Sequence, residues 1–199
     1  MKAKKYKLTE ETININDRTL YRIESLKDFS NVKKGDKGGF VEKESNLSHY
    51  GDCWICDNAK VYGNAIICDN ARVYNNAEIY GNAEVYGYTM VKNNVKVYGD
   101  ALICGDTLVY DNARICGNAV VYGKARICRD AIITSNSDYI VFKNWWSSGR
   151  YFTWTKSNNM WKVGCFYGTG EQLIEKAYND SEKSGREYEK IVRYTETVN

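Results

Sequence analysis

Residues 57–86 read DNAKVY GNAIIC DNARVY NNAEIY GNAEVY, five hexads that differ in detail and agree in pattern. The same phase extends outward to Ser45 on one side and Thr134 on the other, fifteen hexads without one inserted or deleted residue. Self-similarity at a short fixed period marks a solenoid, whose units bury their apolar face only by stacking on neighbours. The fifth position is Ile or Val in fourteen of fifteen units, His49 being the exception, and the third is Ala in ten. Positions two apart share a face on an extended segment, so these two series point inward. The second position is Asn in nine units and Asp in four, commonly after Gly. Asn and Asp tolerate the left-handed α region, so the corner of each hexad is assigned there. Three corners per coil give an eighteen-residue turn and five coils, a rod of roughly 20–25 Å.

This pattern, Val-Tyr-Gly-Asn-Ala-x-Ile, resembles the hexapeptide repeat of left-handed parallel β-helix proteins, best known from acyltransferases. The chain departs from that family in placing Tyr or Cys after the aliphatic residue. Parallel crossovers are normally right-handed, which makes a right-handed helix the alternative; the strict eighteen-residue coil favours the left-handed form. The expected fold is mainly β: an N-terminal β cap over 1–44, the hexapeptide-repeat β-helix over 45–134, and a C-terminal module over 135–199.

Within the cap, short alternating segments around 6–8, 12–15 and 20–23 predict strands, and Ser30–Gly39 is a basic, glycine-rich turn region. No Gly-Lys-Ser/Thr follows it and no helix opens, so it reads as cap rather than phosphate loop. The C-terminal module predicts strands over 139–146, 151–156 and 161–166. Two helices follow, with capping boxes at Thr169/Gln172 and Ser184/Glu187.

The runs LYRIESLKDFSNVKKGDKGGFVEKESNLS (20–48) and WKVGCFYGTGEQLIEKAYND (161–180) resemble uncharacterised β-helix proteins of Gram-positive bacteria and their phages. That resemblance implies a phage or prophage setting and transfers no chemistry. A net charge of +3 is too slight to indicate a nucleic-acid partner. MKAKKYKLTEE lacks an apolar core of signal-peptide length, and no run approaches eighteen apolar residues, so no membrane is expected and a cytoplasmic location in a bacterial host is.

Five of the seven cysteines share the sixth repeat position and alternate there with Tyr, as reduced apolar filler. Cys53 and Cys56 form a CxxC whose spacing the hexad explains; no metal and no cofactor are expected. His49 is the only histidine, which excludes a three-histidine metal site by count. The acyltransferase resemblance would make it a general base, but it stands in an inward slot of the first coil, poorly placed for substrate.

Two surfaces invite partners. Residues eighteen apart stack, so one face carries Ser48, Ile66, Glu84, Leu102 and Val120 outward, interleaved with Tyr50, Cys68, Tyr86, Cys104 and Tyr122; it is unusually apolar for a solvated surface and is expected to be covered by the C-terminal region or by another subunit. A trimer or dimer is expected. Stretch 139–170 carries Lys143, Arg150, Lys156 and Lys162 with no acidic residue, among many aromatics. Basic residues track phosphates and aromatics stack on bases, so a nucleotide or single-stranded nucleic acid is one ligand class. The same aromatics are needed to fold so small a module. Trp145 and Trp146 are adjacent, so one must face outward; with Arg150, Lys156 and Lys162 they form the candidate binding site. The hexad GYTMVK at 87–92 is the least regular and marks either a contact or drift of the repeat. The reading that follows is a non-enzymatic binding protein engaging a macromolecular partner, in a phage setting a host or defence-system protein that it inhibits. An acyltransferase and a nucleotide- or nucleic-acid-binding module are the alternatives.

Overall fold

The computed structural model describes residues 4–197. Strands β1 (Tyr6–Ile15), β2 (Arg18–Ser25) and β3 (Lys37–Val41) precede fourteen two-residue strands, β4 (Trp54–Ile55) through β17 (Ile132–Ile133). Successive rod strands fall in three sheets, each pairing in parallel with the strand eighteen residues on. The chain is thus a parallel β-solenoid of about five turns. Every fifth-position Ile or Val from Ile55 to Ile133 is fully buried, with the third-position alanines filling the space between. The small third residue is what lets three walls close on one core of branched aliphatics.

The corners correct the assignment made from sequence. Positive φ falls on the first position of the hexad, not the second: Asp57, Asn75 and Asp111 adopt it, as do the glycines that alternate with them. Gly51 shows why glycine is favoured there, since an added Cβ would collide with the Asp69 carbonyl oxygen. The second-position amides serve another purpose. Asn76 donates to Asn94, Asn94 to Asn112, and Asn112 to Asp130, at 3.2–3.4 Å. A second ladder runs Asn64, Asn82, Asp100. Each ladder ends on an aspartate, which accepts and has nothing to donate.

The N-terminal cap is a hairpin plus one strand. Tyr6–Ile15 is one strand with an irregularity between Leu8 and Thr12, not two, and it turns at Asn16-Asp17, both with positive φ. Strand β3 then joins the rod in parallel, Phe40 opposite Lys60. Gly38 and Gly39 belong to this contact: a Cβ on either would meet the Ile55 or Ala59 carbonyl within 2.5 Å. Lys5 is completely buried under the first coil, its Nζ donating to the Gly51 and Cys53 carbonyls and lying 3.1 Å from the Cys53 sulfur. Burial lowers the Lys5 pKa and raises that of the Cys53 thiol.

The C-terminal module has four antiparallel strands, β18 (Tyr139–Lys143), β19 (Tyr151–Thr155), β20 (Met160–Val163) and β21 (Phe166–Gly168). The first ends three residues earlier than expected and the last was not anticipated. Helix α1 (Gly170–Asp180) starts on the Thr169/Gln172 box. Helix α2 (Glu182–Thr197) starts earlier than the Ser184 box implied, with the Ser181 hydroxyl accepting from the Ser184 amide. Leu173, Ile174, Ala177, Tyr188 and Val192 pack on Phe152, Trp154 and Trp161.

This module closes the rod by a specific device. The last strand of each solenoid sheet would expose unpaired amides. Instead Val120 N–H donates to Asn136 Oδ1 at 2.8 Å, Arg126 N–H to Thr153 Oγ1 at 2.9 Å, and Ile132 N–H to Ser157 Oγ at 2.8 Å. At least one side-chain oxygen thus serves each of the three sheets, and the Tyr139 hydroxyl accepts from the Tyr122 amide as well, at 3.2 Å.

Candidate binding surfaces

His49 is not free. The Lys5 backbone N–H donates to its Nδ1 at 3.2 Å, which places the proton on Nε2, 3.1 Å from a Glu44 carboxylate oxygen. The ring also stacks on Tyr6 at 4.5 Å. Both nitrogens hold the cap together, and neither points a lone pair outward. The inward slot expected from its repeat position is only partly realised, because the first hexad forms no strand and Glu44–Asn46 is a 3-10 turn.

The Ile66 sheet has four strands carrying Ile66, Glu84, Leu102 and Val120 outward, and Glu84 interrupts the apolar row. Ile66 is 39% exposed and Tyr122 58%, while Leu102, Val120 and Tyr86 are half-buried. The apolar clusters formed by the N-terminal hairpin and by the C-terminal module do not include them. The C-terminal region sits over the end of the rod instead, so it is not the cover expected for this face. The Lys60 sheet is different, with Glu78 bridging Lys60 at 3.2 Å and Lys96 at 3.4 Å.

The aromatic-basic residues of the module separate. Trp146 is core, edge-on to Tyr188 and Phe152, and its indole N–H is buried without a partner. Trp145 is 71% exposed on the turn after β18. Lys156 is exposed at the end of the β18–β19 pairing, where its amide donates to the Asp138 carbonyl. Only Arg150 and Lys162 come together, in an open cleft of about 570 Å³ between the module and the Trp54 sheet of the rod. The rod supplies Lys92, Lys124 and Arg126 to the same cleft, with Tyr110 and Tyr151 beside them and Asp106 as the one carboxylate.

These three rod cations were missed in the sequence, although two left a signal. Lys92 is the only charged residue in the sixth position, and Lys124 the only cation in the second. Lys92 closes the irregular 87–92 hexad, so that departure falls at a cleft wall. The cleft's rings hold cations: Lys124 Nζ is 5.2 Å from the Tyr151 centroid and Lys92 Nζ is 5.4 Å from that of Tyr110. Burial, with a hydrogen bond to Cys128, pushes the Tyr110 hydroxyl well above its ordinary range, so it stays protonated.

The fold and these surfaces define a β-solenoid scaffold with a partly apolar wall and a basic end cleft. Residues 113–129, about one coil's length running from the end of the fourth coil into the fifth, match the family described as the YdcK Beta solenoid repeat. A search of curated proteins finds no match to the chain. No helix among the described residues is long and apolar enough to cross a membrane.

Proposed function

We propose that this chain is a non-enzymatic binding protein whose rigid solenoid engages a protein partner through the Ile66 sheet. The observation that carries this reading is that Ile66 and Tyr122 stay exposed on that sheet, with half-buried Leu102, Val120 and Tyr86 beside them and Glu84 the one charge in the row. Contiguous exposed apolar surface is characteristic of interaction sites. The engagement of both His49 nitrogens supports a role without acyl transfer. The resemblance of both chain ends to β-helix proteins of Gram-positive bacteria and their phages supports a host protein as partner, a defence-system component inhibited in the host cytoplasm. Self-association as a trimer or dimer would use the same wall.

The test is affinity capture from host lysate with the native chain and with Ile66→Glu/Leu102→Glu. A stoichiometric host protein held by the native chain and lost with the variant, circular dichroism unchanged, supports the proposal. Capture that survives both charges refutes the assignment to this wall. Light scattering on the same pair reports whether a second copy is the occupant.

A further inference from the structure

We propose that the cleft between the last coils and β19–β20 is a binding site for clustered phosphate groups, as carried by a nucleoside polyphosphate or a single-stranded nucleic-acid backbone. Five cations line the cleft against one carboxylate, a net of four positive charges, where the whole chain carries +3. The remainder of the molecule is therefore close to neutral in sum, and this concavity carries an excess of positive charge. Such a cleft focuses potential and recruits anions.

Among the described residues, the salt bridges of the chain include none for Lys92, Arg150 or Lys162. Lys124 and Arg126 reach Asp106 only at 3.9 Å. The tyrosine faces under Lys92 and Lys124 orient these ammonium groups without neutralising them, leaving their N–H donors for a ligand. Arg126 is fixed at both ends: its guanidinium donates to the Asp106 carbonyl at 2.7 Å and its backbone amide to Thr153. A preorganised guanidinium loses little on binding an oxyanion.

Lys92 belongs to the third coil of the Trp54 sheet and Arg126 to the fifth, so the rod cations span about 10 Å at one strand spacing per coil. Four positive charges in this space suit phosphates, which bring roughly 1.5–2 charges each when terminal. An acidic peptide, like a single-strand backbone, brings one charge per residue and needs more room, so the charge density favours a small polyphosphate. The tyrosine faces already hold cations, so the site reads phosphate rather than base.

Titration calorimetry at low salt on the full chain would use ATP, inorganic tripolyphosphate, oligothymidylate and polyglutamate as probes. Binding of ATP and tripolyphosphate without oligothymidylate identifies a small polyphosphate as the source; tighter binding of oligothymidylate identifies the single strand. In the latter case, with about four phosphates engaged, a roughly fourfold rise in salt lowers affinity about fifty-fold. Lys92→Gln/Lys162→Gln removes two cations that make no ion pair and is expected to weaken binding at least about tenfold, the size of effect that two solvent-screened ammonium–phosphate attractions carry. Lys60→Gln, on another wall, leaves it unchanged. The proposal is overturned if no phosphate probe binds, if the double variant binds as the native chain does, or if polyglutamate binds equally well. Capture through the Ile66 sheet is independent of each of these results.

Discussion

Replacing Thr153 by Val tests whether side-chain oxygens of the module stabilise the open end of the solenoid. Thr153 is 1% exposed, and its Oγ1 is the acceptor for the Arg126 amide at 2.9 Å. Valine keeps the shape and removes the oxygen, so water cannot easily take its place. A buried amide left unpaired costs about 1–3 kcal/mol. Ser157 accepts from Ile132 in the same way but is exposed, so in Ser157→Ala solvent replaces the lost partner and the cost falls below about 1 kcal/mol. For a chain of this length each kcal/mol moves the thermal midpoint by about 2–4 °C. Amide hydrogen exchange read at Arg126 and Ile132, together with urea unfolding, checks both variants. Thr153→Val should accelerate exchange at Arg126 well beyond the change that Ser157→Ala produces at Ile132. Equal or smaller loss of protection and stability for Thr153→Val would refute the claim that the junction is held this way. Because Arg126 lines the basic cleft, the same variant should also weaken phosphate binding without removing a charge.

Gly38→Ala drives a Cβ to 2.5 Å from the Ile55 carbonyl oxygen. That backbone cannot swing aside, so a loss of about 1–3 kcal/mol is expected by urea unfolding, and a neutral result would show that the cap strand does not dock this closely. Trp154→Phe removes an indole N–H that donates to Asn159 at 2.9 Å, whereas Trp146→Phe removes one that has no partner. Trp154→Phe should therefore be the more destabilising of the two in side-by-side chemical denaturation, and the reverse order would contradict this hydrogen bonding. Burial would raise the Asp138 pKa, but hydrogen bonds from the Thr134 and Ser135 backbones and hydroxyls outweigh it and hold the carboxyl below its ordinary value. Its contribution is present above the unfolded-state pKa of about 3.9 and is lost as pH falls through the lower folded value. Asp138→Asn should lower stability near neutrality and flatten the acid limb of the stability profile; an unchanged limb would remove Asp138 from the junction.

Periodicity alone carried the core of the rod. A branched aliphatic every sixth residue with alanine two before it leaves one way to bury both, by stacking coils of eighteen, and Ile55 through Ile133 are buried accordingly. The corner conformation was less legible. Asn is at home both in left-handed turns and in amide ladders, and only the backbone shows that Asn76 and Asn94 are ladder residues while Asn75 and Asn93 take the positive φ. The adjacency of Trp145 and Trp146 required that they differ; which one is core was decided by Tyr188, which is edge-on to Trp146 from α2. The basic cleft lay furthest from reach. Lys92 and Lys124 broke the repeat, but a broken repeat has no direction until something docks beside it. Arg150 and Lys162 arrive there because Thr153 and Ser157 satisfy the last amides of the solenoid. A local repeat encodes its own stacking, since each unit's neighbours are copies of itself, whereas a site between the repeat and a unique module exists only once tertiary hydrogen bonds fix where that module sits.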